Sequence, residues 1–158
     1  MTKTSLKTLY DIDFALWIED TVNQLKSRNI ENLDWDNLIE EIESLGKRDK
    51  RELESRLTTL FEHALKRCYV LLPDCYRGWE VTISRTQKDI KKQLKDSPSL
   101  RNYLQENYLN CYQESLENMR IEYDAEFSDI CPFPQDVDIL LTGKFWKTPL
   151  LKPLIQRF

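Results

Sequence analysis

An all-α fold, an antiparallel bundle of four main helices with a short C-terminal helix and a tail, is what this chain's residues predict. Three observations carry that reading. Apolar side chains recur every three or four residues from Asp34 to about Leu71, at Leu38, Ile42, Leu45, Leu53, Leu57, Leu60, Ala64, Cys68 and Leu71. Asp49 is the one polar interruption of that stripe. The 158 residues include only three glycines and six prolines, so long helices meet few breakers. Charged residues make up 32% with both signs interspersed, as on solvated helix faces. The length suits one domain, and we expect residues 9–142 to form the bundle and 143–158 an extended basic and apolar tail.

Asp11 or Asp13 can cap a first helix, on which Phe14, Trp17, Ile18, Thr21, Val22 and Leu25 share one face. The polar run from Asn29 to Asn32 makes a short connection. Asp34 is placed to cap the long helix, with Leu33 and Leu38 spaced as a hydrophobic staple. Asp36, Glu40 and Glu41 then favour its positive end. Gly46 costs about 1 kcal/mol relative to alanine in a helix interior and is a possible break. Glu43–Lys47, Glu52–Arg56 and Glu62–Lys66 are i,i+4 pairs that favour continuity.

Pro73 ends this helix, because the residue before a proline is pushed out of the α region. The third helix is expected from about Gly78, burying Trp79, Ile83, Thr86, Ile90 and Leu94. Ser97-Pro98 has the form of an N-cap with proline at the first helical position. The fourth helix carries Leu100, Leu104, Tyr108, Cys111, Ser115, Met119 and Tyr123 on one side, until Cys131-Pro132-Phe133-Pro134 interrupts. A short helix over Gln135–Leu141 closes with Gly143 at the C′ position.

These residues also carry a resemblance. Tyr10-Asp11-x-Asp13-Phe14-x-x-Trp17, Asp34-x-x-x-Leu38-x-x-Glu41-x-x-x-Leu45-Gly46, His63-x-Leu65-Lys66 and Trp79-x-x-x-Ile83-x-Arg85 occur in that order. With Ser97-Pro98-Ser99-Leu100-Arg101 and Cys131-Pro132, they resemble the helical "domain of unknown function 29" family over roughly residues 9–148. The resemblance implies a small all-α bacterial protein and supplies no catalytic residue.

A net charge of −4 argues against general nucleic-acid binding, which needs a basic surface. No apolar run approaches the roughly 18 residues of a membrane span, and the first residues lack a secretory pattern. Four cysteines without a Cys-x-x-Cys pair point to buried thiols at Cys68 and Cys111 and to a cytoplasmic setting.

Asp34, Asp36, Glu40, Glu41 and Glu43 stand close together, and Glu40 and Glu43 at i,i+3 are the candidate ligands for a hard cation. They support an alternative function, metal-dependent hydrolysis of a nucleotide or other phosphate. The only histidine, His63, lacks a Glu-x-x-His partner, so we expect it to bond across the bundle interface instead. Lys88, Lys91, Lys92 and Lys95 form a basic stripe that could meet an acidic partner surface or, as a weaker alternative, nucleic acid. Phe145 and Trp146 begin an acid-free tail that either docks on a partner or folds back over the bundle. The leading expectation is a non-enzymatic protein-interaction module, with a protein partner, possible homo-oligomers and no cofactor.

Overall fold

The computed structural model describes residues 8–147, and among these there is helix and no strand. The helices are α1 (Leu9–Ile12), α2 (Phe14–Lys26), α3 (Trp35–Tyr69), α4 (Pro73–Asp96), α5 (Leu100–Glu122) and α6 (Val137–Leu140), and a 3-10 turn follows at Phe145–Lys147. The all-α architecture with four long helices is therefore as the periodicity predicts. The chain divides after Arg48 into two compact units. Residues 148–158, with the apolar tail segment Pro149–Ile155, lie outside the described residues.

In the first unit, Asp13 caps α2 by accepting from the Leu16 N–H at 3.0 Å. Asp11 sits in the first turn of α1. The end of α2 is a Schellman motif. The Asn29 N–H reaches the Gln24 carbonyl at 2.9 Å and the Arg28 N–H the Leu25 carbonyl at 3.2 Å, with Arg28 at φ 59°. That left-handed position favours glycine, because a Cβ there crowds the backbone. Arg28→Gly is accordingly expected to raise stability by about 0.5–1 kcal/mol in urea denaturation. Asp34 stands at the start of α3, its carbonyl accepting the Leu38 N–H and its carboxylate the Asn37 side-chain amide at 2.7 Å. Gly46 makes no break: α3 is one helix of 35 residues.

The second unit is built on the rest of α3 with α4 and α5. Arg67 pairs with Glu80 at 3.0 Å, while Arg56 reaches Gln93 at 2.8 Å, so α3 and α4 run antiparallel. Tyr103 meets Glu54, Ser115 donates to the Thr58 carbonyl and Asn118 to Glu62, so α5 runs parallel to α3 and antiparallel to α4. Leu53, Leu57, Leu60, Phe61, Ala64 and Leu65 form one wall of a core that Ile83, Ile90, Leu104, Tyr112, Leu116 and Met119 complete.

Several boundaries differ from expectation. The long helix ends at Tyr69, leaving Leu71 exposed. Pro73 does stop it, but the same residue opens α4 at the N1 position, five residues before Gly78. Helix α5 starts at Leu100, because residues 97–100 form a tight turn closed by the Leu100 N–H on the Ser97 carbonyl at 3.0 Å. It ends at Glu122, and the following irregular segment is tied down by tyrosines of α5. Tyr108 donates to the carbonyls of Phe133 and Pro134, at 3.0 and 2.7 Å, and Tyr112 to that of Ser128. These bonds seat Phe127 and Phe133 in the core. Asp136 caps the short α6, and Gly143 takes φ 63° just beyond it.

Of the three expected i,i+4 ion pairs, only Glu52–Arg56 is present among the described residues. Lys66 instead lies over the Trp79 ring at 5.5 Å, and Glu62 accepts from Asn118.

Candidate functional sites

Within the first unit, two apolar ladders face one groove. Phe14, Trp17, Ile18, Thr21, Val22 and Leu25 of α2 line one side. Leu38, Ile42 and Leu45 of α3 line the other, with Glu41 and Arg48 among them, around about 370 Å³ of open space. The spacing is helical on both walls, which is why a sequence periodicity found them. Their environment was not foreseen. The leucine stripe of α3 is expected to be sequestered along its whole length, yet Ile42 is 60% exposed and Leu45 51%. Phe14, Ile18, Val22 and Leu25 are exposed as well. Only Trp17 and Thr21 of α2 are buried.

Trp17 forms the most constrained part of this groove. Its ring meets Tyr10 edge-on at 4.9 Å and stacks with Phe14 at 5.8 Å, while its indole N–H is buried without an acceptor among the described residues. An unmade bond of this kind costs about 1–3 kcal/mol. Tyr10 in turn donates to Glu41 at 2.5 Å, and that hydrogen bond pushes the Tyr10 hydroxyl up to about 12. Glu41 is thereby committed to holding α1 on α3. Glu40 and Glu43, the candidate metal ligands, are both exposed. No group of three or more His, Cys, Asp or Glu side chains is gathered for an ion among the described residues.

The second unit holds a different cleft, of about 280 Å³, where Lys88 and Lys91 of α4 meet Lys144 and Trp146. The basic helix and the start of the tail, read from sequence as separate features, converge here. Lys92 lines another groove with Asp49, Glu52, Asp89 and Asp96. Trp146 corrects an expectation. It is 4% exposed and belongs to the core, its carbonyl accepting the Cys68 S–H at 2.9 Å. Phe145 packs on Phe133, ring centroids 5.3 Å apart. Through Lys147 the chain folds back over the core, the second of the two alternatives its composition left open.

Among the described residues, His63 bonds within its own helix and not across the bundle. Its Nδ1–H donates to the Thr59 carbonyl one turn back on the same helix, at 2.9 Å. Burial lowers its pKa, with the neighbouring Lys66 adding to the effect. A depressed folded-state pKa means the unfolded chain binds the proton more readily. The His63 contribution is therefore complete above the unfolded value of about 6.5 and is lost as pH falls from there through the folded pKa. Urea midpoints measured from pH 7.5 to 5 should fall more steeply for the natural chain than for His63→Gln.

The four cysteines are free. Burial raises the thiol pKa of Cys68, Cys111 and Cys131, which makes them poor nucleophiles.

Residues 9–146 match the family model described as "Domain of unknown function DUF29", and the chain belongs to that family. No curated protein and no solved structure matches the chain.

Proposed function

We propose that this chain, a member of a family of unknown function, is a non-enzymatic interaction module whose first unit receives a basic amphipathic helix of a partner protein. The observation that carries this reading is the pair of exposed apolar ladders, Phe14 to Leu25 and Leu38 to Leu45, facing one groove. Two helices so arranged offer the ridges and grooves that a third helix packs into. Exposed apolar residues scattered singly need no explanation, whereas a contiguous face does.

Charge selects the occupant. Residues 8–48 carry ten carboxylates against four cations. All four salt bridges among the described residues lie beyond residue 48, so within residues 8–48 these carboxylates form no ion pair with the cations there. A second copy would bring two acidic faces together, while a lysine-rich helix would be attracted and steered. Glu41, on the α3 wall of the groove, is the carboxylate nearest to that helix. Four free thiols, Cys68 and Cys111 among them donating to carbonyls, support a reducing cytoplasmic setting.

The test uses two synthetic helical peptides with the same leucine face, one flanked by lysines and one by glutamates. Fluorescence anisotropy with the full chain should show the lysine peptide binding at least tenfold tighter. The double substitution Ile42→Ser/Leu45→Ser should remove that binding without lowering the melting temperature, since both sites are exposed. Equal affinity for both peptides would defeat the assignment of the partner. Binding indifferent to the double substitution would defeat the groove. A dimer in sedimentation that dissociates on Leu45→Ser would give the groove to a second copy.

A further inference from the structure

We infer that the cleft between α4 and the turn after α6 binds a small phosphate-bearing anion, a phosphate monoester or pyrophosphate, through Lys88, Lys91 and Lys144. This rests on observations in the second unit and is independent of the apolar groove.

Lys88 and Lys91 stand three residues apart on one face of α4. Lys144 joins them because the chain turns back at Gly143, whose φ of 63° is readily taken only without a Cβ. The turn is fastened in place from below. Gln87, buried between Ile83 and Ile90 on the same helix, donates its amide to the carbonyls of Leu140 and Gly143 at 3.0 and 3.2 Å. The three lysines thus line one cleft because a hydrogen-bonded scaffold fixes the turn beside α4, against the repulsion between like charges.

None of the three lysines has a salt bridge among the described residues. All four salt bridges among the described residues use arginine, which leaves these lysines open to an external anion. The one carboxylate lining the cleft, Glu80, is already engaged by Arg67 at 3.0 Å. Residues 148–158 contain no Asp or Glu that could serve instead. Ser84 lines the cleft and adds a hydroxyl donor, while Ile83, Leu141 and Trp146 supply an apolar wall. Three cations and a hydroxyl around about 280 Å³ suit a dianionic phosphate with a small substituent. An extended nucleic-acid strand would need the basic surface to continue, and Lys92 instead sits among Asp49, Glu52, Asp89 and Asp96.

Isothermal titration of the full chain with pyrophosphate and with phenyl phosphate, at pH 7.5 and fixed ionic strength, tests this directly. Saturable binding is expected, weakened at least tenfold by Lys88→Gln/Lys91→Gln/Lys144→Gln and less than twofold by Lys92→Gln/Lys95→Gln. All five lysines are exposed, so thermal melts of both variants should match the natural chain. Succinate should bind at least tenfold more weakly than phenyl phosphate. The inference is overturned by absence of saturable binding, by equal losses in the two variants, or by succinate binding as tightly. It is likewise overturned if a single-stranded oligonucleotide binds tighter than pyrophosphate and loses affinity with Lys92→Gln/Lys95→Gln.

Discussion

Replacing Trp146 with alanine is expected to destabilise the protein by about 3–5 kcal/mol, the cost of emptying a large aromatic from a packed core. The indole is 4% exposed and lies 5.0 Å from the Arg67 guanidinium, which also stands over Tyr76 at 4.0 Å and pairs with Glu80. Truncation therefore removes buried area and one face of a cation's enclosure together. Urea denaturation followed by circular dichroism checks the value, and Trp146→Phe should recover part of it. The magnitude separates two accounts of the same residues. A tryptophan held outward for a partner would change stability by no more than about 0.5 kcal/mol.

Sequence could not make that distinction, for a physical reason. An acid-free run with aromatics, lysines and prolines is compatible with docking on another protein or on its own core, and composition is the same in both cases. What decides is a set of long-range bonds, Gln87 to Leu140 and Gly143, and Cys68 to Trp146, which no local pattern encodes. The same limit explains Phe127 and Phe133. They lie in an irregular segment without periodicity, and their burial follows from the Tyr108 and Tyr112 hydroxyls reaching backbone carbonyls far along the chain. By contrast, helix faces were legible wherever one surface meets a core. Ile83, Thr86, Ile90 and Leu94 of α4, and Leu100, Leu104, Tyr108, Cys111, Ser115 and Met119 of α5, are buried as their spacing predicts. Glu40 and Glu43 illustrate the remaining gap: spacing puts two carboxylates on one helix face, but spacing does not say whether a third ligand approaches.

The leucine stripe of α3 allows the sharpest comparison, because one pattern has two fates on a single helix. Leu57→Ala should cost about 2–5 kcal/mol, since Leu57 is 1% exposed within the core of the second unit. Leu45→Ala removes the same atoms from the same helix, three turns earlier, where the side chain is 51% exposed. Its cost should stay below about 1 kcal/mol, because most of the leucine already faces water. The difference between the two variants, read from urea midpoints at a common slope, measures how unequally the stripe is buried. Adding the lysine peptide should then reverse part of the ranking. Ligand that binds only the folded state raises stability by mass action, so the natural chain and Leu57→Ala should both gain from it while Leu45→Ala gains least. A stripe buried evenly along α3 would give two similar losses and no response to the peptide. An apolar periodicity thus reports that a helix has a face, and solvent exposure along it reports which part of that face the described residues cover.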